Sequence, residues 1–461
     1  MQIANKKDIP EILDVKIDKL SNLGFGISKN NGYVIFVEGA CPEDYVKIRI
    51  TKKNKNFAHA KIIEFIKKSP YRIQPFCPMQ NVCGSCQLQF IEYDYQLQLK
   101  KQIVEDSMFS IYGDNIDIKN VIPSPKIKEY RHKIQYPVSE TKNSKRILAG
   151  YYKPSSHDLV NIKYCPIQPN YCDSIIEFIR TEAQNLGISG YNEKKHAGDL
   201  KHVVIKTSAL NNKNLIILVI NSVKILDKIK KLAHNIYTNL NNINGVCINL
   251  NPQKTNLILG KETFLIEGQD FIEEQLCNKI FKIGPETFFQ VNPYTANNIF
   301  EFIKKYILDN FEKPIILDAY AGISTFGICL SDIAKKIVTV EEVKASTDLA
   351  SKIIKENNIK NVEIHNMDSA KFFEKELATK KRTFDIVIMD PPRKGCSQES
   401  LNYAMKLTKN KIIYVSCNPA TLARDLRYLK ENNCTVDFIQ PFDMFPHTYH
   451  IENVAIISKN K

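Results

Sequence analysis

The sequence predicts an α/β chain with a doubly wound, Rossmann-like sheet in its C-terminal part. A small N-terminal β-barrel and a mixed α+β central domain precede it. Three observations carry this expectation. After Phe281, short apolar runs alternate with helical stretches. The runs are Ile315 to Leu317, Ile337 to Val340, Val362 to His365, Ile386 to Met389, Ile412 to Val415, Val436 to Ile439 and Val454 to Ile457. Such alternation specifies a mostly parallel sheet covered on both faces. From Glu11 to about Lys67, the runs are short, alternate with polar residues and are broken by glycine and turn residues, as in a small barrel. Finally, 461 residues are too many for one core. The expected domains are 1–70, 71–275 and 276–461.

In chain order, the barrel strands are Val15 to Ile17, Tyr33 to Val37, Tyr45 to Ile50 and Ala58 to Phe65. Residues 1–72 hold 14 Lys/Arg against 8 Asp/Glu, and Lys52, Lys53 and Lys55 crowd one loop beside Phe57. A basic barrel with an aromatic at its loop edge suits single-stranded nucleic acid, although a solvated lysine loop reads the same way. Tyr71 to Phe90 is a proline- and cysteine-rich joint. Glu92 to Ser110 reads as an amphipathic helix through Tyr95, Leu99, Ile103 and Met108, and is expected to pack on the C-terminal domain. The central domain should hold strands at Tyr130 to Val138, Arg146 to Tyr152, His202 to Ser208 and Leu215 to Asn221, with a helix at Asp173 to Leu186.

The formal charge of +14 and pI near 9.0 favour a polyanionic partner over a neutral metabolite; a lysine-rich proteome is the blander explanation. No apolar run reaches membrane-spanning length and Met1 to Pro10 lacks an apolar signal core, so a cytoplasmic protein without membrane association is expected. A monomer is the default expectation. Twelve cysteines are too sparse for a disulfide scaffold. In a reducing compartment the cluster Cys77, Cys83 and Cys86 suggests metal, and spacing alone does not choose between zinc and iron–sulfur.

Two of the predicted strands end in chemistry. Phe384 to Met389 runs into Asp390-Pro-Pro-Arg393, and Ile412 to Val415 runs into Ser416-Cys417-Asn418-Pro419. In open α/β sheets ligands bind beyond the carboxyl ends of the strands, so Asp390 and the Cys417 thiol should share the mouth of a cleft. A thiol beside a carboxylate suggests covalent catalysis; a buried structural thiol is the alternative. The first strand leads into a glycine turn, Asp318 to Gly327, with Tyr320 placed to pack on an adenosine. Glu341, ending the next strand, can accept ribose hydroxyls, and Asp368, after the third, can meet an adenine edge. Helix capping or surface positions are the alternatives for these two acids. Ser324 stands where a dinucleotide would want a second glycine, so a phosphate-free nucleoside cofactor, S-adenosylmethionine, fits better.

These residues together resemble the bacterial RNA uracil-5 methyltransferases. The resemblance rests on Asp390-Pro-Pro-Arg393, on Ser416 to Asp425, on Phe445-Pro-His-Thr-Tyr-His-Ile-Glu452 and on Phe288-Phe-Gln-Val-Asn292. Gly24-Phe-Gly26 with Val34 to Ala40 is similar to the TRAM (OB-like) barrel of one branch, and Cys77-x5-Cys83-x2-Cys86 with Cys165 to that branch's iron–sulfur site. The resemblance implies a 4Fe-4S cluster, Glu452 as the base that removes the C5 proton, and Gln290 and Asp390 as cofactor contacts. It leaves Thr325 and His447 as weaker candidates. Covalent activation of uracil C5 needs a thiolate added at C6, and Cys417 is the candidate. The branch points to 23S rRNA; a tRNA uridine, or a non-catalytic RNA-binding role, are the alternatives. Arg131, His132 and Lys133 are expected to hold phosphates. Ser324, Cys41, Glu43 and Ser85 depart from the family's usual residues, three of them at glycine positions.

Overall fold

The computed structural model describes residues 9–379 and 382–460, so the first eight residues of the expected barrel fall outside the description. The N-terminal part is a six-stranded sheet of β1 (Ile12–Lys16), β2 (Lys19–Leu20), β3 (Gly26–Asn30), β4 (Tyr33–Glu38), β5 (Tyr45–Lys53) and β6 (Phe57–Lys67). Its order is β1-β5-β6-β4-β3-β2. Strand alternation puts Tyr33, Ile35, Val37, Val46, Ile48, Ala58 and Ala60 into a core of its own. Glu43 has φ 72°, a left-handed conformation that explains why glycine is usual there. The next residue, Asp44, is fully buried and paired with Arg72 at 2.6 Å.

Helix α1 spans Tyr93–Ser107 and ends earlier than expected, because the chain passes into a π-helical turn, Met108–Tyr112, closed by Gly113 at φ 88°. The central sheet contains β7 (Lys133–Glu140), β8 (Ile147–Tyr152), β9 (Leu159–Asn161), β10 (Leu200–Thr207), β11 (Asn214–Ile220), β12 (Ile243–Leu250) and β13 (Glu262–Gly268). The order is β13-β12-β11-β10-β7-β8-β9, and α2 (Tyr171–Asn185) and α3 (Leu226–Asn239) pack against it. β7 begins later than the apolar pattern suggests because Glu129 and Arg131 pair elsewhere, their amides donating to Pro166 O (3.0 Å) and Ile167 O (2.8 Å).

A hairpin of β14 (Ile272–Leu276) and β15 (Lys279–Ile283) leads through α4 (Pro293–Asn310) into the C-terminal sheet. There the chain alternates β16 (Ile315–Ala319), α5 (Thr325–Cys329), β17 (Lys336–Glu341), α6 (Lys344–Glu356), β18 (Val362–Asn366), α7 (Ser369–Thr379) and β19 (Phe384–Met389). It continues with α8 (Gln398–Leu407), β20 (Thr408–Ser416), α9 (Pro419–Glu431), β21 (Cys434–Phe442) and β22 (Glu452–Lys459). All seven anticipated strands are present, in the order β18-β17-β16-β19-β20-β22-β21. The first five are parallel, whereas β22 runs antiparallel to both neighbours. α1 and its π turn pack on α9. Among the described residues no helix is long and apolar enough to cross a membrane.

Candidate active site and cysteine cavity

The reversal of β22 builds the centre of the site. Its pairing with β20 ends at Ser416 opposite Asn453, so Cys417 and Glu452 each lie one residue beyond that last pair, close enough for the carboxyl to act on the thiol. Cys417 leads into α9, whose N-terminus is fixed by Pro419 at its first turn and by Asn418 Oδ1 accepting from Ala420 N at 3.1 Å. Asp390 leaves the end of the neighbouring strand β19. The Arg393 guanidinium reaches the same place and acts on both Cys417 and Glu452. The structure thus gathers one thiol, two carboxyls and one guanidinium.

Their charge states follow from burial. Glu452 is 6% exposed and held well above the usual carboxylate range by desolvation, then by Asp390, with Arg393 opposing. Burial moves Asp390 up to about 7. The Cys417 thiol rises to about 11 through burial and the two carboxyls, again against Arg393. Burial therefore favours the thiol form of Cys417 and the neutral form of Glu452, and Arg393 is the group that favours ionising either.

The cofactor side lies beyond β16 to β19, where the strand order turns outward from β16. In the loop after β16, Tyr320, Gly322 and Ser324 all have positive φ (61°, 55° and 59°). A Cβ on Gly322 would meet nothing within 4 Å, so the backbone there faces open space. Ser324 tolerates its left-handed position with a buried hydroxyl bond to Thr339 at 2.9 Å, which answers how the turn survives without glycine. Glu341 accepts from Gly322 N (2.9 Å) and Val343 N (2.8 Å), so it orders the loop as well as facing the crevice. Asp368 caps α7, accepting from Lys371 N at 3.1 Å, the capping alternative raised above. Asp318 is fully buried, pushed up to about 8 by desolvation, and receives Gly327 N at 3.0 Å. Tyr320 is half-buried at the edge of the core beside the cleft. An open backbone, an acid at each following strand end and an aromatic fit a nucleoside without phosphate. Gln290 lines a cavity of about 310 Å³ with His132, Lys133, Lys206 and Glu274.

Two expectations need correction. His447 is 3% exposed and held down to about 4 by burial. Its Nε2 meets Ile127 O (3.0 Å) and its Nδ1 meets Gln96 Nε2 (3.2 Å), so both nitrogens are engaged in fixing the loop. His132 does not clamp phosphate either; buried and lowered to about 4, its Nδ1 faces Thr207 O at 3.2 Å. Arg131 points inward to Tyr151, its guanidinium carbon 5.7 Å from the ring centroid, with Cys165 and Cys86 among its charged neighbours.

That inward turn bears on the cysteines. Cys77, Cys83, Cys86 and Cys165 all line one cavity of about 340 Å³ with Met79, Tyr151, Ile162 and Ile167. Among the described residues no three His, Cys, Asp or Glu side chains are grouped to hold a single metal ion. Two buried donors at the cavity lack partners, Gln89 Nε2 and Tyr151 OH. The Gln89 amide is oriented by its Oε1, which accepts from Cys77 N at 3.2 Å. Thiols spread around a cavity, unpaired donors and a nearby guanidinium fit an anionic body larger than one ion better than they fit zinc. Burial drives the Cys86 thiol up to about 12, so these sulfurs would ionise only with a cation to receive them.

Arg393 stood inside a recognised motif yet had no assigned role, because a motif position does not reveal what a long side chain reaches. Buried Lys100 also went unnoticed. It pairs with Asp443 at 2.6 Å, both side chains wholly enclosed, and donates to Phe445 O at 3.0 Å. Tyr93 OH adds a bond to Asp443 at 2.9 Å. Together these lock the segment leading to Glu452 onto α1.

The profile of the family described as tRNA (Uracil-5-)-methyltransferase matches residues 92–460. The chain belongs to that family. A TRAM domain matches residues 8–63. An uncharacterized RNA methyltransferase of Clostridium tetani is 36% identical over 457 residues, covering 98% of each chain. One from Bacillus cereus is 34% identical over 451 residues, covering 97% of each. Among solved structures, the tRNA (uracil-54, C5)-methyltransferase of Pyrococcus abyssi in complex with S-adenosyl-L-homocysteine superposes with TM-score 0.76 at 26% identity. It covers 96% of this chain and 100% of that one. The protein is an S-adenosylmethionine-dependent RNA methyltransferase with a Rossmann-like catalytic sheet. Because a tRNA enzyme matches this chain almost end to end, the N-terminal sheet does not by itself select ribosomal RNA.

Proposed function

We propose that this enzyme methylates C5 of a uridine in 23S rRNA, with Cys417 as nucleophile and Glu452 as the base. The observation that supports the chemistry is the meeting of the Cys417 thiol with Glu452, Asp390 and Arg393 beyond the ends of β19, β20 and β22. Bound S-adenosylmethionine supplies an electrophilic methyl group. Uracil C5 is a poor nucleophile until a sulfur adds to C6. Cys417 gives up its proton to Asp390, the carboxyl that titrates near neutrality, and Arg393 stabilises the resulting thiolate. The new S–C6 bond moves the ring's electron pair to C5, where the methyl is accepted. Glu452, ionised under the influence of Arg393, then takes the C5 proton, and the pair left behind re-forms the double bond as the S–C6 bond breaks. The base must be unstacked to be reached from both sides. Tyr320, Glu341, Asp368, Asp390 and Gln290 serve cofactor binding.

Cys77, Cys83, Cys86 and Cys165 hold a structural 4Fe-4S cluster in this reading, supported by their shared cavity. The cluster, the basic barrel and the motif resemblance favour 23S rRNA. The family description and the Pyrococcus structure favour the second reading, a tRNA uridine. Mapping 5-methyluridine in both RNAs from a deletion strain decides between them. Cys417→Ala should abolish methylation, and RNA carrying 5-fluorouridine should form a covalent adduct with the wild type only. Full turnover by the alanine variant removes the nucleophile.

A further inference from the structure

A solvated face of an antiparallel sheet is ordinarily polar, yet the outer face of the N-terminal sheet is aromatic. Phe36 on β4 and Phe57 and His59 on β6 alternate with the buried core residues Ile35, Val37, Ala58 and Ala60, so they point outward. Phe36 and His59 are direct partners in the β4–β6 register. The Phe36–Phe57, Phe36–His59 and Phe57–His59 ring centroids are each 5.6 Å apart, and Phe25 joins at 5.7 Å from His59 and 6.5 Å from Phe36. All four rings are only half-buried. Rings alone would also suit a protein partner. Their rim favours a polyanion, because exposed Lys52 stands opposite His59 in the β5–β6 register and exposed Lys55 tops the turn joining those strands.

The patch also leads to the catalytic cleft. Gly24, at φ 78°, lies so close to Tyr449 that a Cβ would meet its ring at 3.0 Å. The Tyr449 ring is 4.3 Å from that of His450, and His450 is a neighbour of the Arg393 guanidinium. The barrel thus touches, through the backbone beside Phe25, the segment whose Tyr449 and His450 lead toward the group around Cys417.

We propose that Phe25, Phe36, Phe57 and His59 form a stacking platform for unpaired bases flanking the target uridine, and that Tyr449 continues it toward the cleft. Aromatic stacking recognises a base by its flat face and tolerates any sequence. The proposal rests on the RNA methylation reading and adds where the single strand lies.

The test uses the full chain, a fluorescent oligouridylate for binding, and the RNA it methylates for kinetics. Phe36→Ala and Phe57→Ala should each weaken oligouridylate binding by roughly ten-fold. Phe36→Leu should lose as much, and Phe36→Tyr should stay close to wild type, since the flat ring and not the apolar bulk makes the contact. KM for RNA should rise while kcat at saturating RNA holds, and the dependence of binding on salt should keep its slope. Replacing Lys52 and Lys55 by alanine should instead flatten that slope. The residues are half-exposed, so a circular dichroism melt can confirm folding of each variant. Binding by a variant carrying both Phe36→Ala and Phe57→Ala within about two-fold of wild type overturns the platform. Wild-type affinity in Phe36→Leu also overturns it and assigns the face to a protein partner. A wild type that methylates no RNA removes the underlying reading instead, so the two failures are distinguishable.

Discussion

Replacing Lys100 by methionine should cripple the enzyme from a position that touches no reacting atom. Lys100 Nζ and Asp443 Oδ1 are 2.6 Å apart with both side chains wholly enclosed. Methionine fills similar volume but leaves the Asp443 carboxylate with the Tyr93 hydroxyl (2.9 Å) as its remaining side-chain donor. Stranding a buried charge in this way costs about 3–5 kcal/mol, whereas removing both charges together is often nearly neutral. For a domain of this size that loss lowers the melting temperature by roughly ten degrees. Calorimetry of wild type, Lys100→Met, Asp443→Leu and the double variant measures the coupling directly. The double variant should recover most of the loss of either single one. Activity should follow the lock on the segment leading to Glu452, with kcat falling in Lys100→Met while the dissociation constant of S-adenosylhomocysteine stays put. A single variant melting with the wild type, or a double variant as unstable as the two losses summed, refutes the argument.

Three further outcomes are expected. Glu452→Gln should leave adduct formation with the RNA intact but slow release of methylated product by at least about a hundred-fold; rapid-quench measurement of the covalent complex checks this, and an unchanged release rate reassigns the base. Anaerobically purified protein should be brown and carry about four irons per chain. Tyr151→Phe, Gln89→Leu or Arg131→Met should lower the cluster's reduction potential, since each removes a donor or positive charge that favours the more reduced, more negative state; stoichiometric zinc without iron contradicts the cluster itself. Asp318 has its carboxyl raised by burial to about 8, so the folded state keeps a proton that the unfolded state has lost. Its contribution is fully present below pH ~4 and disappears as pH rises toward 8, a loss on the order of 5 kcal/mol. Asp318→Asn should therefore melt with a flatter pH dependence than wild type over that range, and parallel curves would exclude the effect.

The catalytic sheet was legible because its strands are buried on both faces and read as continuous apolar runs, and Asp390 and Cys417 each interrupt such a run abruptly. Glu452 was findable only through its motif; what brings it beside Cys417, the antiparallel return of β22, is a pairing between distant segments that no local pattern announces. The Lys100–Asp443 pair hides for the same reason, since a lysine on an amphipathic helix reads as solvated until its partner, 343 residues away, is known. Arg131 shows the converse error. Its charge was evident, but a strand residue's direction depends on register, and pairing with Ile167 aims it at the cysteine cavity rather than at solvent. Glu341 and Asp368 were placed at the right strand ends, yet loop amides already occupy part of each carboxylate.

The antiparallel return of β22 makes the extreme C-terminal stretch a mechanical part of the reaction centre. Val454 to Ile457 are completely enclosed between β20 and β21, and their pairings help hold Glu452 beside its sulfur neighbour. A slip of a single residue would swing that acid through to the opposite side of the sheet. Substitutions that loosen this strand would thus shift Glu452 even though they touch nothing in the cleft.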